Sequence, residues 1–218
     1  MDLLIIGAGT FGSRAAHCLH KKDPSARIIL VDSDPGALHR WEGRLETILA
    51  DGIDFLVRRL NKTKARPLTG WIVPAIPVHV ACEWIRLTLD NRLEVLSVPV
   101  PETLDSFLPN PIRGREGELY TSHAATVCPE NCPEPPDICI ATKKPRGTDL
   151  YKTLERVTLA DYRSVVVRSR QLAPGVGGYQ AQTLFDAREE AGLAKGRVLV
   201  STACRCHGVV HALQVVKK

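Results

Sequence analysis

The chain has 218 residues, of which 44% are hydrophobic and 24% are charged. This balance is typical of a folded globular protein with one substantial core, and it excludes a disordered chain. The net charge of +5 is spread over both halves without a basic block, so it favours an anionic ligand and argues against nucleic acid as a partner. No apolar run approaches the roughly 20 residues of a membrane helix, so we expect a cytoplasmic protein without membrane insertion.

Short apolar strands alternate with helical patterns in the first half of the chain. Strands are expected at residues 3–6, 27–31, 47–50, 71–75 and 94–98. Helices are expected directly after a glycine turn at residues 7–12 and at residues 35–46, 53–60 and 80–89. This order predicts a single α/β domain over residues 1–218, built on a Rossmann-like, doubly wound parallel sheet with helices on both faces.

The pattern changes after the fifth strand. Residues 99–147 are rich in proline, glycine and polar residues, so we expect a cysteine-rich, largely irregular insertion or lid within the domain. Regular elements return as a helix at residues 150–156 and strands at residues 164–168 and 197–201. The stretch "APGVGGYQAQ" is expected to be a turn that leads into a helix ending near Glu190, and a further helix is expected from about Gly208.

The glycine turn "GAGTFG" follows the first strand and opens the first helix. In this context Gly7 permits a tight turn, Gly9 lets the backbone approach a pyrophosphate, and Gly12 allows the helix to pack closely on the strand. Asp32 ends the second strand, twenty residues after Gly12, where its carboxylate can accept hydrogen bonds from ribose hydroxyls and repel a 2′-phosphate. The pattern therefore predicts an NAD site; a glycine turn that binds no dinucleotide is the alternative.

Residues 1 to about 90 resemble the NAD-binding domains of Trk-type potassium-transport regulators and the N-terminal domain of saccharopine dehydrogenase-like oxidoreductases. The stretches "LLIIGAGTFGSRAA", "IILVDSDPGAL", "ILADGIDFL" and "WIVPAIPVHVA" carry this resemblance. It implies that the three glycines of the turn hold the pyrophosphate, Asp32 the adenosine ribose, and Asp51 the neighbourhood of the adenine. The chain departs from both families after His79, so neither activity is transferred.

The cofactor-binding residues that we expect lie in the glycine turn and in the segments that follow the second, third and fourth strands. They are Gly7, Gly9, Thr10, Phe11, Gly12, Asp32, Ser33, Asp51, Ala75 and Pro77.

Five of the seven cysteines form two groups in sequence. Cys128, Cys132 and Cys139 lie in the proline-rich insertion, and Cys204 and Cys206 follow the last expected strand, next to His207. In a cytoplasmic protein such thiols indicate metal or cluster ligands or reactive groups more than a disulfide framework.

We expect a zinc ion or an iron-sulfur cluster held by some of the residues of these two groups, close to the nicotinamide end of NAD. The spacing C-x3-C-x6-C names no particular metal. The candidate ligands are Cys128, Cys132, Cys139, Cys204, Cys206 and His207. The alternatives are unligated thiols or nucleophilic chemistry at Cys204 and Cys206, favoured by the amides of the helix expected near Gly208. Cys18 and Cys82 fall on helical patterns and are expected to be small core residues.

Two further groups are candidates for chemistry. His79 follows the fourth strand, next to the expected nicotinamide site, where it is an acid–base candidate or a capping or packing residue. Arg168 and Arg170, with the free amides of Gly177 and Gly178, can cradle an anionic substrate, although a flexible turn explains the same pattern.

Together these features predict an NAD-dependent oxidoreductase that acts on a small anionic substrate and forms a homodimer. The alternative is a non-enzymatic NAD-responsive regulator or redox or metal sensor. Turnover of NADH separates the two.

Overall fold

The computed structural model describes residues 2–61, 70–89, 93–194 and 196–217. The strands of these residues are β1 (Asp2–Ile6), β2 (Arg27–Asp32), β3 (Glu46–Leu49), β4 (Trp71–Pro74), β5 (Leu93–Val98), β6 (Ile112–Arg113), β7 (Leu119–Ser122), β8 (Tyr162–Arg168), β9 (Arg170–Ala173), β10 (Val176–Gln180), β11 (Gly196–Ala203) and β12 (His207–Lys217). The helices are α1 (Thr10–Lys22), α2 (Pro35–His39), α3 (Gly52–Asn61), α4 (Val80–Thr88), α5 (Leu150–Glu155) and α6 (Ala181–Gly192), with a 3-10 helix at Glu102–Phe107.

The strands form two mixed sheets. The first has the order β3-β2-β1-β4-β10-β9, in which β3, β2, β1 and β4 are parallel and the β9–β10 hairpin runs antiparallel at the edge of β4. The second has the order β6-β7-β12-β11-β8, and β5 also pairs with β12. In this sheet β8 and β11 are parallel and the remaining pairs are antiparallel.

This topology corrects the expectation of one parallel sheet. The first four strands form a parallel sheet as expected, but the strands expected at residues 94–98, 164–168 and 197–201 belong to the second sheet. Their apolar runs fit either sheet equally well, because a buried strand reads the same wherever it is buried. The functional loops of the two halves therefore do not all open at one sheet edge.

Two predicted local structures are wrong. The stretch expected to lead from a turn directly into a helix instead forms the β9–β10 hairpin before α6 begins. The helix expected near Gly208 is the strand β12, whose residues pair with β11 along one edge and with β7 and β5 along the other.

Alternation within the strands places three hydrophobic cores between layers of the fold. Leu3 and Ile5 of β1 face α1 and α2, whereas Ile6 faces α3 and α4. That second core continues through α4 and α6 to the strands β8, β11 and β12. The opposite face of the second sheet packs on α5 and the 3-10 helix. The helices α3, α4 and α6 thus lie between the two sheets and join them through one shared core.

The described part of the insertion contains more structure than expected. The 3-10 helix, β6 and β7 lie within residues 99–122, and residues 123–149 follow without helices or strands. In the part of the chain that the structure describes, none of the helices has the length and apolarity that crossing a membrane requires.

Candidate functional site

The turn between β1 and α1 is closed on one side by its glycines. Gly7 has φ +104°, and a Cβ there would meet the carbonyl oxygen of Ala75 at 2.6 Å. A Cβ on Gly12 would overlap the carbonyl oxygen of Gly7. Both positions therefore require glycine, one for its backbone conformation and one for the close approach of α1 to the turn.

The same turn is open at Gly9. A Cβ built there would have no atom of the described residues within 4 Å, although the backbone has an ordinary φ of −61°. Gly9 caps α1 without a side-chain hydrogen bond, and both Gly9 and Thr10 are exposed. The first turn of the helix thus presents backbone amides and the positive end of its dipole to an open surface, an arrangement suited to an anion.

Asp32 lies beside this surface and helps to hold the turn. The backbone N–H of Ala8 donates to Oδ2 of Asp32 at 2.5 Å, and the N–H of Asp34 donates to Oδ1 at 2.8 Å. Each carboxylate oxygen has a second lone pair, so Asp32 keeps acceptor capacity for further donors. Ser33 is exposed next to it, while Asp51 caps α3 by accepting from the N–H groups of Ile53 and Asp54 at 2.9 Å.

A cleft of about 380 Å³ opens beyond the turn, at the carboxyl end of β4. Its walls come from the first turns of α1, from the residues after β4 and from the tip of the β9–β10 hairpin. The lining residues are Phe11, Arg14, Ala15, Val73, Pro74, Ala75, Ile76, Pro77, Gly175, Val176 and Gly177. The structure therefore brings Phe11, Ala75 and Pro77 together at this cleft, as the sequence predicts for one site.

Most of the expected substrate residues lie away from the cleft. Only Gly177 lines it; a Cβ on Gly178 would meet the carbonyl oxygen of Ile72 at 2.8 Å, so Gly178 is packed against β4. The guanidinium of Arg168 lies 4.1 Å from the centre of the Tyr151 ring, and Arg170 is exposed on β9.

Arg14 is the cationic residue of the cleft, and the sequence interpretation overlooked it. Its guanidinium forms an ion pair with the Glu130 carboxylate at 2.8 Å and also donates to the Glu130 carbonyl oxygen. The spacing from Phe11 to Arg14 is the signal that would have found it, since residues three apart share one face of a helix.

The second group of residues lies where β11 turns into β12. The backbone N–H groups of Cys206 and His207 both donate to Sγ of Cys204 at 3.3 Å. The hydrogen bond with the Cys206 thiol and these two backbone donors lower the pKa of Cys204, although burial opposes the shift. The hydrogen bond with Cys204 and burial raise the pKa of Cys206. The turn between β11 and β12 thus supplies the amide donors that we expected from a helix near Gly208.

The insertion packs its cysteine-containing residues against this turn. Sγ of Cys128 lies 3.4 Å from Nε2 of His207, whose Nδ1 is 3.9 Å from Sγ of Cys204. Burial raises the pKa of Cys128, and the nearby thiols of Cys139, Cys132 and Cys206 raise it further. The two sequence groups, 65 or more residues apart, are therefore adjacent in the fold.

Two of the insertion's cysteines have other contacts. The hydroxyl and amide of Thr142 lower the pKa of Cys139 by hydrogen bonding. The carbonyl oxygen of Cys132 accepts from Nε2 of Gln171 at 2.7 Å and from the N–H of Gly175 at 3.1 Å. The segment that carries the thiols thus also touches the β9–β10 hairpin at the cleft.

Arg146 lies between the thiols. Its Nη1 donates to Sγ of Cys206, and its Nε donates to the carbonyl oxygen of Pro135. Its Nη2 is buried and has no hydrogen-bond partner among the described residues. With the side chains in these positions, the described residues contain no group of three or more His, Cys, Asp or Glu that could hold a metal ion.

His79 is buried between the sheets and is not part of the cleft lining. Its Nδ1 lies 3.0 Å from Nδ1 of His211 on β12, and its Nε2 lies 2.8 Å from the Thr202 hydroxyl on β11. Burial, together with a smaller effect of His211, lowers the pKa of His79 to about 3. Cys82 is also fully buried, and Cys18 packs half-buried on the outer core of the first sheet, which confirms the expectation for these two thiols.

The fold and site define a mixed α/β protein that joins a glycine-rich strand–helix turn to a cluster of thiols on a second sheet. The family profile AF_1314_C, "Uncharacterized protein, C-terminal domain", matches residues 81–216. An uncharacterized protein of Archaeoglobus fulgidus is 32% identical over 232 aligned residues, which cover 98% of this chain and 99% of that protein. The chain belongs to this protein family.

Proposed function

We propose that this protein binds NAD at the glycine turn and is an oxidoreductase that acts on a small anionic substrate in the adjoining cleft. The observation that carries the proposal is the contrast within the turn: Gly7 and Gly12 are packed so closely that a Cβ does not fit, whereas the space above Gly9 is open. Open space at the middle glycine is what a pyrophosphate needs in order to reach backbone amides.

The order of the parallel strands supports the same proposal. The order β3-β2-β1-β4 is that of the first four strands of the Rossmann order 3-2-1-4-5-6, in which successive strands are added on one side up to β3 and on the other side of β1 from β4 onwards. In open α/β sheets, ligands bind outside the carboxyl ends of the strands at such a reversal. The glycine turn follows β1 and the cleft follows β4, so both lie where this rule expects a dinucleotide.

Residues of this chain would contact the pyrophosphate, the adenosine ribose and the nicotinamide end of the cofactor. The amides of the first turn of α1 would hold the pyrophosphate, and the Asp32 carboxylate would accept from the adenosine ribose and repel a 2′-phosphate. When bound, NAD supplies hydride chemistry at its nicotinamide ring. Phe11 and Pro77 would line the apolar part of that site, and Arg14 would donate to the anionic group of the substrate once that group displaces the Glu130 carboxylate with which the guanidinium is paired.

The substitution Gly9→Ala tests the proposal. Because the added methyl group meets no described atom and the backbone φ is negative, we expect a protein with unchanged melting temperature. The same methyl group would enter the path of the pyrophosphate, so we expect the NAD affinity to fall by at least about tenfold, or about 1.4 kcal/mol. Isothermal titration calorimetry with NAD measures this, with NADP expected to bind more weakly to the unaltered protein.

The matched control is Gly147→Ala, since Gly147 also lies in open space with an ordinary φ but is outside the cleft. This variant should bind NAD as the unaltered protein does. Equal affinity of the Gly9→Ala variant and the unaltered protein would refute the dinucleotide site. Oxidation of NADH by an acceptor would distinguish the oxidoreductase from the alternative of an NAD-responsive regulator, which binds without turnover.

A further inference from the structure

A second cavity, of about 340 Å³, lies between the insertion and the β11–β12 turn. Its walls come from the residue that follows the 3-10 helix segment at position 110, from residues just after β7, from the end of the insertion before α5 and from Arg205 in the turn. It shares no lining residue with the cleft beside the glycine turn. Its volume is in the range of sites that hold small molecules.

The lining of this cavity is rich in positive charge. Lys144, Arg146 and Arg205 are its cations, and Asp149 is its carboxylate. Nε of Arg205 donates to Oδ1 of Asp149 at 2.8 Å, and Nζ of Lys152, outside the lining, lies 3.5 Å from Oδ2. The Asp149 carboxylate is therefore already paired, and the lining carries two formal positive charges in excess.

Arg146 and Arg205 are held close together although their charges repel. The hydrogen bond with Asp149 raises the pKa of Arg205, and the nearby Arg146 guanidinium opposes that shift. Glu134, outside the lining, acts on both guanidiniums, and its charge offsets that of Lys152, so the excess of two is unchanged. Cations gathered in this way attract an anion.

Each of the three cations also has a donor without a hydrogen bond to another described residue. In Arg146 this donor is Nη2, which is buried, whereas Nη1 and Nε donate to Sγ of Cys206 and to the carbonyl oxygen of Pro135. In Arg205 it is Nη1, and in Lys144 it is the ammonium. A buried, unpaired donor on a cation is costly, and an anion in the cavity would supply acceptors for these groups.

We infer that this cavity binds a phosphate group, either as inorganic phosphate or as the phosphate of a small organic ester. A phosphate group carries a charge of roughly −2 at neutral pH, which matches the excess of the lining. Its several oxygens can accept from two guanidiniums and an ammonium at once, whereas a carboxylate has two oxygens and one charge. The inference concerns a separate cavity and does not depend on the proposed dinucleotide site.

The test is calorimetric titration of the full chain with inorganic phosphate, glycerol 3-phosphate and acetate at equal, low ionic strength. We expect phosphate to bind at least about tenfold more tightly than acetate, because it carries a second charge and further acceptors. Comparable binding of glycerol 3-phosphate would assign the site to a phosphate ester, and binding of inorganic phosphate without the ester would assign it to free phosphate. Either result supports the inference.

Lys144→Gln should lower the phosphate affinity by about tenfold, since a hydrogen bond to a charged group is lost. Lys143→Gln is the matched control, because it removes the same charge from the neighbouring exposed residue, which is not part of the lining. It should bind phosphate as the unaltered protein does, and so should Gly9→Ala. Lys144→Gln should in turn keep its NAD affinity, so failure of this site and failure of the dinucleotide site are distinguishable.

A measurement on the unaltered protein covers the case in which a variant fails to fold. Phosphate should slow the chemical acetylation of the Lys144 ammonium and leave that of Lys143 unchanged, as read by mass spectrometry. Acetate that binds as tightly as phosphate would overturn the inference. So would absence of phosphate binding, an equal fall of affinity in Lys144→Gln and Lys143→Gln, or equal acetylation of Lys144 with and without phosphate.

Discussion

His79 and His211 form a contact that is compatible with only one proton between them. Their Nδ1 atoms are 3.0 Å apart, so one ring must donate and the other accept, and the Thr202 hydroxyl complements the remaining nitrogen of His79. A second proton would place two N–H groups against each other in a buried position. The pair is therefore held neutral, and burial lowers the pKa of both residues.

This pair makes the stability of the protein depend on pH. The pKa of His79 is about 3 in the folded protein and about 6.5 in the unfolded chain, so protons bind preferentially to the unfolded chain. The stability contributed by neutral His79 is fully present above about pH 6.5. It is lost as the pH falls towards 3, with a slope that approaches 1.4 kcal/mol per pH unit, roughly the value of one titrating group. Urea unfolding at pH 7, 6 and 5 measures this slope.

His79→Gln keeps hydrogen-bonding groups at the site but removes the titration, so the free energy of unfolding should vary less steeply with pH. His39→Gln, which alters an exposed histidine, should leave the slope unchanged. A slope in His79→Gln equal to that of the unaltered protein would contradict the assignment.

At the level of single residues, the sequence predicted best where the backbone itself dictates the residue. Gly7 and Gly12 are such positions, because the tight turn and the close approach of α1 to it are formed within one local segment. His79 is the opposite case. The position of His79 after β4 could be predicted from the sequence. The orientation of its side chain depends on contacts with His211 and Thr202, which lie in the second sheet, and no local sequence pattern predicts those contacts.

At the level of elements, the segment that carries the first cysteine group is attached to the first sheet by few contacts. Arg14 on α1 pairs with Glu130, and the N–H of Gly175 at the tip of the β9–β10 hairpin donates to the carbonyl oxygen of Cys132. The Glu130 carboxylate is 84% exposed, so the ion pair adds little to global stability. Its effect should be confined to the position of this segment.

Glu130→Gln should therefore loosen the segment without unfolding the protein. We expect hydrogen exchange at residues 128–132 and at the amide of Gly175 to rise by up to about fivefold, which corresponds to about 1 kcal/mol. Hydrogen exchange with mass spectrometry measures this. Glu190→Gln, which breaks the half-exposed Arg163–Glu190 pair elsewhere, should leave these amides unaffected. Unchanged exchange in Glu130→Gln would show that the charge of the Glu130 side chain does not hold the segment.

The errors in the predicted elements have identifiable causes. Pro174 and Gly175 stand between two apolar runs, and Gly175 has φ +71°, as the third residue of a type II turn requires. This dipeptide indicates the β9–β10 hairpin, whereas the glycines that follow it favour a loop when they are read without it. In β12 the β-branched pairs Val209–Val210 and Val215–Val216 favour a strand over the helix that was expected.

At the level of the whole molecule, the helices between the sheets determine how it unfolds. Trp84 of α4 is completely buried in the core that contains residues of both sheets. It packs edge-on against Phe185 of α6, with the ring centres 5.3 Å apart. If either sheet separated from this layer of helices, the core that the layer shares with the other sheet would be exposed to water. We therefore expect one cooperative unfolding transition.

Trp84→Ala should lower the free energy of unfolding by about 3–5 kcal/mol, the usual cost of a large cavity in a core. The remaining tryptophans, Trp41 and Trp71, pack on the first sheet, so their fluorescence in urea reports that sheet alone. Hydrogen exchange of β11 and β12 reports the second sheet. We expect the same urea midpoint from both probes in this variant. Second-sheet amides that stay protected after the fluorescence has changed would indicate two independent units.

The position of the β9–β10 hairpin also limits how the gene for such a protein can recombine. It comes from the second half of the chain, yet it completes the first sheet by covering the edge of β4. A chain ending at residue 89 would leave that edge free to pair with other molecules. The family profile begins at residue 81, inside α4. The matched segment therefore includes β9 and β10, which cover the edge of the sheet formed by the preceding residues. Recombination that exchanged only one half of the gene would separate the first sheet from the hairpin that covers its edge. We therefore expect the two halves to have diverged together as one gene.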